Sequence, residues 1–391
     1  MMKERKKILY LMHVPWGWIK QRPHFFAELL STDYNVDLYY KKSTIVSKKN
    51  LLTTTESDFL NLKIKGFRYL PFEQIPIFKY LPCGWINTLL LLFQLPSFKK
   101  YDYIWITSPL LYSMIHPFIR RDSRIIYDCM DDALEFPAPK SNKILYNKLL
   151  NNEVKLLETS NYVICSAGYL KNKILNRAGL NREILVVNNA IALPEEKLIV
   201  DHRIIQMQEE LKGIPFILMY IGAISEWFDF ESVLYSLDNN PDAHLVLFGP
   251  SDVTIPDHER IHYMGTIERK YIFTVMSFAH ALIMPFKINE LIRSVNPVKI
   301  YEYIYTAKPI IVSKYEETLK FSNYVYYYTE KEEFTVHVSD LIAGRKQSSN
   351  TKDRMKEFAL SNTWDARYKL LHTLFVTIQR IEYNHVGQQQ F

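Results

Sequence analysis

One stretch of the sequence reads Asn296-Pro-Val-Lys-Ile-Tyr-Glu-Tyr303 and soon continues as Ala307-Lys-Pro-Ile-Ile-Val312. A polar loop leads into a helix with Pro297 in its opening turn, and a run of β-branched residues follows the helix. A helix that passes directly into a buried strand is the repeating element of α/β sheets. The stretch therefore predicts an α/β fold and places a helix N-terminus beside Lys299.

The same alternation of short β-rich runs and helical patterns extends over both halves of the chain. In the first half the predicted strands are Lys7–Met12, Val36–Tyr40, Ile64–Leu70, Tyr103–Thr107, Arg124–Asp128, Tyr162–Cys165 and Ile184–Val187. In the second half they are Phe216–Ile221, Leu245–Phe248, Ile261–Tyr263, Ala281–Met284, Pro309–Val312 and Val325–Tyr328. Strands that alternate with helices predict parallel sheets that are covered on both faces.

The chain is long enough for two domains, because its 391 residues are 48% hydrophobic. The segment from Asn189 to Gly213 contains Pro194 and a charged helical stretch, as expected of a connection between domains. We predict an N-terminal domain at 1–190, a C-terminal domain at 191–364, and a helix with a tail at 365–391. Two doubly wound domains in tandem would face each other across a cleft lined by strand carboxyl ends, where such sheets bind ligands.

Charge is distributed unevenly along the chain. Residues 1–194 carry 27 Lys and Arg against 16 Asp and Glu, whereas residues 195–391 carry 21 against 26. This asymmetry predicts that the first half meets an anionic partner such as anionic lipid or a pyrophosphate-linked acceptor. No nucleic-acid-binding motif occurs, so we expect no nucleic acid partner.

The predicted helix N-terminus near Lys299 is a candidate anion site, since free N–H groups and a lysine attract phosphate. Glu302 lies one turn further on, and its carboxylate could accept hydrogen bonds from a sugar or ribose diol. An exposed Lys–Glu pair on an ordinary helix is the alternative interpretation.

Three carboxylates, Asp128, Asp131 and Asp132, follow a predicted strand end. Crowding of carboxylates can raise the pKa of one of them into the range of a general base. The alternative is helix capping by Asp131 or Asp132.

A glycine turn follows the first strand, where Trp16-Gly17-Trp18 precedes Arg22 and His24. Gly17 would let the turn approach a ligand, and aromatic rings can stack on sugars. A surface turn above packed tryptophans is the alternative.

Together these stretches resemble motifs of GT-B glycosyltransferases, in particular the family 4 and teichuronic-acid-type cell-surface polysaccharide transferases. Val14-Pro-Trp-Gly-Trp18 with Gln21-Arg-Pro-His24 resembles their opening motif, and Tyr127-Asp-Cys-Met-Asp-Asp132 resembles their central acidic motif. Tyr220–Asp229 resembles the start of their second domain. Asn296-Pro-x-Lys-x-x-Glu302 resembles their donor motif, although Ser294 stands where the retaining branch has its first Glu.

The resemblance implies GT-B architecture, with two Rossmann-like domains and a C-terminal helix that returns to the first domain. It implies a metal-independent, hexosyltransferase-like enzyme that uses a UDP-linked sugar as co-substrate, needs no cofactor, and retains the anomeric configuration. The implied donor-binding residues are Gly222, Gly249, Arg293, Asn296, Lys299 and Glu302. The implied acceptor-binding residues are Trp16, Gly17 and Arg22, and the catalytic group that polarises the acceptor hydroxyl comes from Asp128, Asp131, Asp132 or His24.

Other functions lack their signals in this sequence. Neither G-x-G-x-x-G, a P-loop nor G-x-S-x-G occurs, and the histidines do not have metal-ligand spacing. Two alternatives stay open: a nucleotide-sugar epimerase of the same fold, and a non-catalytic sugar-nucleotide-binding partner in polysaccharide assembly.

The sequence also predicts where the protein acts. The apolar stretch from Trp85 to Leu95 is about half as long as a membrane span. Combined with the basic first half, it predicts a cytoplasmic protein that contacts an anionic membrane peripherally, where a glycan or lipid-linked acceptor would be met. A buried helix of the Rossmann-like domain at Leu89–Phe93 is the alternative interpretation.

Overall fold

The computed structural model describes residues 5–17, 20–42, 59–68, 84–194, 200–373 and 375. The chain divides into two compact units, Met1–Asn188 with Tyr368–Phe391, and Asn189–Arg367. Trp18, Cys83 and the pair Lys48-Lys49 lie outside the described residues, as does the end of the predicted C-terminal helix.

The first unit is built on a seven-stranded parallel sheet with the strand order β3-β2-β1-β4-β5-β6-β7. Its strands are β1 (Lys7–Met12), β2 (Asn35–Lys41), β3 (Leu62–Phe67), β4 (Tyr103–Ile106), β5 (Ile125–Cys129), β6 (Tyr162–Cys165) and β7 (Leu185–Val186). Central strands such as β4 and β5 are buried at every position, because helices cover both faces of a parallel sheet. The order reverses between β1 and β4, and doubly wound sheets generally bind their ligands at the carboxyl ends of the strands at such a reversal.

In the described part of Met1–Asn188 the helices beside this sheet are α1 (Arg22–Asp33), α2 (Gly84–Gln94), α3 (Pro109–Ile115), α4 (Pro137–Ser141), α5 (Lys143–Thr159) and α6 (Gly168–Ala178). Their starts follow the usual capping rules. Asn142 accepts hydrogen bonds from two N–H groups of α5, and Gln21 forms a capping box with His24 at the start of α1.

The end of the chain belongs to the first unit. The Tyr368 hydroxyl donates to Asp33 at 2.6 Å, and the Phe375 ring lies 6.2 Å from the rings of Tyr103 and Trp105. The predicted return of the C-terminal helix to the first domain is confirmed.

The second unit contains a six-stranded parallel sheet with the order β10-β9-β8-β11-β12-β13. Its strands are β8 (Phe216–Ile221), β9 (Ala243–Phe248), β10 (Ile261–Tyr263), β11 (Ala281–Met284), β12 (Ile310–Ser313) and β13 (Tyr326–Tyr328). The strand order again reverses once, between β8 and β11, so both units have the doubly wound topology of Rossmann folds. Every strand predicted from the sequence is present, with ends that differ by a few residues at most.

The helices of the second unit are α7 (His202–Leu211), α8 (Phe230–Asn239), α9 (Ile272–Phe278), α10 (Glu290–Arg293), α11 (Val298–Thr306), α12 (Lys331–Ile342) and α13 (Lys352–Ser361). Helix α11 and strand β12 form the predicted helix–strand unit. Ala307 joins them in the left-handed region, with φ of 56°. No helix in the described ranges combines the length and the apolar character that crossing a membrane requires.

Candidate functional site

The carboxyl edge of the first sheet carries a buried ion pair between Arg22 and Asp128. The Nε and Nη2 atoms of Arg22 donate to Oδ1 of Asp128 at 2.9 and 2.8 Å. Nη1 donates to the carbonyl of Val187 at 2.6 Å, and the guanidinium stacks on Phe26. The charge of Arg22 is therefore neutralised inside the unit. Arg22, which the sequence predicted to bind the acceptor, is buried.

Asp132 is also neutralised by neighbouring cations. Its two carboxylate oxygens lie 3.0 and 3.1 Å from Nη1 of Arg177, and Lys173 is 3.2 Å away. Arg177 also holds the buried carboxylate of Glu153, whose pKa burial raises to about 7 against the pull of Arg177. Asp132 further accepts a hydrogen bond from the N–H of Leu134, as a turn residue does. Asp132 therefore closes a turn and does not cap a helix, since Phe136 occupies the N-cap position of the next helix, α4.

Asp131 differs from its two neighbours. Among the described residues, no cation lies within ion-pair distance of its carboxylate, which is partly exposed. Burial raises the pKa of Asp131 to about 6, an effect that Arg22 opposes and that Asp132 and Asp128 reinforce. The acidic trio thus contains one carboxyl suited to general base chemistry near neutral pH, flanked by two that are held by cations.

His24 anchors the glycine turn. Its Nδ1 accepts the N–H of Gln21 at 3.1 Å, and its Nε2 lies 3.3 Å from the carbonyl of Pro15. The ring also packs on Trp16 at 5.1 Å, while burial lowers the pKa of His24 to about 4. Both ring nitrogens have partners, so His24 positions Trp16 and the left-handed Gly17, whose φ is 89°.

His13 is a candidate that the sequence did not reveal. It follows β1 at the topological switch point, and its Nδ1 lies 2.7 Å from the hydroxyl of Thr107, which follows β4. Burial lowers the pKa of His13 to about 4, so the imidazole is neutral at physiological pH. Only its position immediately after the first strand could have pointed to it.

Two glycines bring the ends of β8 and β9 together in the second unit. A Cβ on Gly249 would lie 1.9 Å from the carbonyl oxygen of Gly222, and Gly249 has φ of +138°. Only glycine fits there, so the requirement for Gly249 is the close approach of two backbones. Gly249 is buried, whereas Gly222 is partly exposed at the end of β8 and remains open to a ligand.

A buried carboxylate with two cations lies at the start of α11. Lys299 Nζ is 2.7 Å from Oε2 of Glu302, and Nη2 of Arg269 is 3.2 Å from Oε1. Burial alone would raise the pKa of Glu302, but Lys299 and Arg269 outweigh it and hold the pKa below its usual value. The lysine and arginine side chains are 26% and 38% exposed, whereas the carboxylate is enclosed.

This geometry excludes one alternative and adds a residue. The interpretation of Lys299 and Glu302 as an exposed pair on an ordinary helix does not hold, because packing against the second unit's core encloses Glu302. Its oxygens face Lys299 and Arg269 instead of solvent. Arg269 was missed because it lies in a short turn, Arg269–Tyr271, and pairs with Glu302 across 33 residues of sequence.

The other predicted donor-binding residues are engaged within the second unit. Arg293 lies 3.1 Å from Glu290 and 3.0 Å from Glu316. The buried Asn296 accepts the N–H of Asn189 at 2.8 Å, and its amide lies 3.4 Å from Glu317. Gly222 and Lys299 thus lie at the same edge of the sheet. Arg293 is paired with two glutamates, and Asn296 forms hydrogen bonds inside the unit.

Solved structures with the same fold match nearly the whole chain. Anabaena HepE, crystallised with UDP and glucose, has a TM-score of 0.68 at 15% identity, covering 95% of this chain and 100% of that one. Sucrose-phosphate synthase from Thermosynechococcus elongatus has a TM-score of 0.68 at 13% identity, covering 96% and 100%. Trehalose-6-phosphate synthase OtsA has a TM-score of 0.61 at 12% identity, covering 95% and 98%.

No protein-family profile matches the sequence, and no curated protein matches it either. The structural matches confirm the predicted fold class, which is α/β with two Rossmann-like domains in the GT-B arrangement of strands and helices.

Proposed function

We propose that this chain is a glycosyltransferase that moves a sugar from a UDP-linked donor to a glycan or lipid-linked acceptor in cell-surface polysaccharide synthesis. The observation that carries the proposal is the cluster of Glu302, Lys299 and Arg269 at the carboxyl edge of the second Rossmann sheet. A buried carboxylate fixes two partly exposed cations where such sheets bind their ligands. Structures of similar fold contain UDP or UDP-glucose.

The cation cluster suits the diphosphate of a UDP-sugar. Helix α11 begins without a side-chain cap, so the N–H groups of its opening turn are available to a phosphate. Lys299 supplies a point charge there and Arg269 a planar fork of donors. As the bond to the sugar breaks, negative charge grows on the leaving UDP, and fixed cations stabilise that charge. Gly222 lets the end of β8 approach the same diphosphate.

The first unit supplies the group that acts on the acceptor. Asp131 has the raised pKa expected of a general base, and Asp128 and Asp132 are held in ion pairs beside it. We assign Asp131 the removal of the proton from the acceptor hydroxyl. Trp16 and Gly17 form the turn across the sheet edge that an acceptor would contact. Neither a metal nor a cofactor has a place in this proposal.

The test is turnover that depends on an acceptor. A panel of UDP-sugars is incubated with free oligosaccharides or prenyl-diphosphate sugars, and UDP release is measured. We expect release with at least one donor and acceptor pair, and slower release in Lys299→Ala when the donor concentration is below its Kd.

Two other outcomes would replace the proposal. UDP release together with an altered sugar in the absence of any acceptor would identify an epimerase. Tight UDP-sugar binding without turnover for any acceptor would identify a non-catalytic binding partner. An absence of UDP-sugar binding altogether would contradict the donor assignment.

A further inference from the structure

Helix α2 of the first unit exposes an apolar face. Of its residues, Leu89 is 49% exposed, Leu92 is 54% exposed and Phe93 is 84% exposed. Leu92 and Phe93 follow Leu89 by three and four residues, so the three side chains lie on one side of the helix. Leu90 beside them is 36% exposed, whereas Leu91 is buried against the unit's core. Single exposed leucines are ordinary on protein surfaces, but a contiguous group of this kind indicates an interaction surface.

Basic side chains collect at the carboxyl-terminal end of this helix. The side chain of Gln94 accepts the N–H of Arg68 at 2.8 Å, which holds Arg68 beside the end of α2. Lys99 and Lys100 follow in the next turn, and all three side chains are exposed.

A second basic turn lies close to the first. The ring of Phe98 packs 6.1 Å from Phe118, and the exposed Arg120 and Arg121 follow Phe118 after one intervening residue, Ile119. Two acidic groups partly neutralise the positive charge of these turns, since Asp37 is 3.9 Å from Lys100 and Asp122 is 2.9 Å from Arg120. Among the described residues, no acidic side chain pairs with Arg68, Lys99 or Arg121.

We propose that the apolar face of α2 and its basic border bind the surface of an anionic lipid bilayer. Helix α2 has 11 residues and is therefore about 16 Å long, too short to span a bilayer of about 30 Å. It is suited to lie at the interface, with Leu89, Leu92 and Phe93 among acyl chains and the cations among anionic headgroups.

Charge and composition favour a bilayer over other occupants. A second copy of the chain would bring the same basic border against itself, and like charges would oppose the contact. A nucleic acid would satisfy the cations but leave the leucines in water. The inference rests on the proposed function only in that membrane binding would bring the enzyme to a lipid-linked acceptor. Its test measures binding and requires no turnover.

The experiment is co-sedimentation of the full chain with vesicles at low salt. One set of vesicles is phosphatidylcholine alone, and the other is an equal mixture with phosphatidylglycerol. We expect binding to the mixed vesicles only, with affinity falling as salt is added. Phe93→Gln should weaken binding about tenfold, and Lys99→Gln or Arg121→Gln about fivefold each.

Matched controls come from the second unit. Leu360 is 51% exposed and Lys352 is also exposed, so Leu360→Gln and Lys352→Gln should leave vesicle binding unchanged. Thermal melting confirms that each variant is folded, and UDP-sugar titration without vesicles shows whether donor binding is intact. Failure of the proposed function would appear in that titration, and failure of this inference only in sedimentation.

Three results would overturn the inference. The first is an absence of binding to mixed vesicles at low salt. The second is binding that Phe93→Gln does not weaken. The third is a dimer, detected by analytical ultracentrifugation, that Phe93→Gln converts to monomer, since the face would then bind a second copy.

Discussion

Both units have carboxylates and cations at the carboxyl edges of their sheets. In the first unit carboxylates outnumber the cations that pair with them, and in the second unit one carboxylate pairs with two cations. In the first unit, Asp128 and Asp132 bind Arg22 and Arg177, and Asp131 remains with a raised pKa. In the second unit, the single carboxylate of Glu302 is enclosed, and its two cations, Lys299 and Arg269, reach the surface.

The difference between the two clusters defines what each can do. The first unit uses Arg22 and Arg177 to neutralise Asp128 and Asp132, and within this trio it leaves Asp131 able to take up a proton near neutral pH. The second unit uses a buried carboxylate to fix cations and leaves positive charge for an anion. The proposed function assigns proton transfer to the first arrangement and phosphate binding to the second.

The largest expected effect tests the proton-transfer side of this comparison. Asp131→Asn should lower turnover about 10²- to 10⁴-fold, because it removes a general base while preserving shape. Donor affinity, measured by calorimetric titration, should stay within about twofold of wild type. Asp122→Asn, an exposed aspartate of the same unit, is the control with no expected loss. Retained turnover in Asp131→Asn would move the assignment to His13.

The next effect is a loss of stability when Arg177, a largely buried cation of the first unit, is replaced. Arg177→Met should lower the free energy of unfolding by about 3 kcal/mol, because it leaves Asp132 and Glu153 buried with less compensating charge. Urea denaturation measures this loss. The exposed pair of Arg120 and Asp122 provides a control, since Arg120→Met should change stability by less than about 0.5 kcal/mol. Equal losses in both variants would mean that Arg177 does not stabilise a buried acidic cluster.

The anion site predicts a smaller change in affinity. Lys299→Ala and Arg269→Ala should each weaken UDP-sugar binding about tenfold, as the loss of one charge-assisted contact would. Arg293→Ala should weaken it by less than about threefold, because Glu290 and Glu316 already hold that guanidinium. Calorimetric titration at fixed salt gives all three constants. A larger effect at Arg293 than at Arg269 would return the phosphate contact to the residue predicted from the sequence.

The smallest effect is a pH-dependent gain in stability. The pKa of Asp131 is raised from its ordinary value of 3.8 to about 6, so ionisation favours the unfolded chain and stability falls as pH rises through that window. Asp131→Asn should therefore raise the free energy of unfolding by about 1 kcal/mol near pH 7. This gain is smaller than the full pKa shift would give, because solvent screens the partly exposed carboxyl. Near pH 4 the two proteins should have the same stability. Denaturation curves at both pH values measure the difference, and a loss of stability at pH 7 would contradict the raised pKa.

The sequence predicted most strands well, because many of them, such as β8 and β11, are uninterrupted apolar runs. It could not predict which charges meet. Arg22 and Asp128 are 106 residues apart, and Arg269 and Glu302 are 33 apart, so only the folded sheet order brings them together. Residues with the right motif and chemistry, such as Arg22 and Asn296, were therefore predicted to contact ligands although the structure uses them internally.

The most direct test of the account is a single pH series in which kcat and the Kd for the UDP-sugar are measured together. Across about pH 5 to pH 8 the donor keeps its phosphate charges, and Glu302, whose pKa is lowered, stays ionised with Lys299 and Arg269. We expect kcat to rise with pH through an apparent pKa of about 6, set by Asp131, while the Kd stays constant. A kcat independent of pH, or a Kd that follows the same titration, would contradict the assignment of proton transfer to the first unit and anion binding to the second.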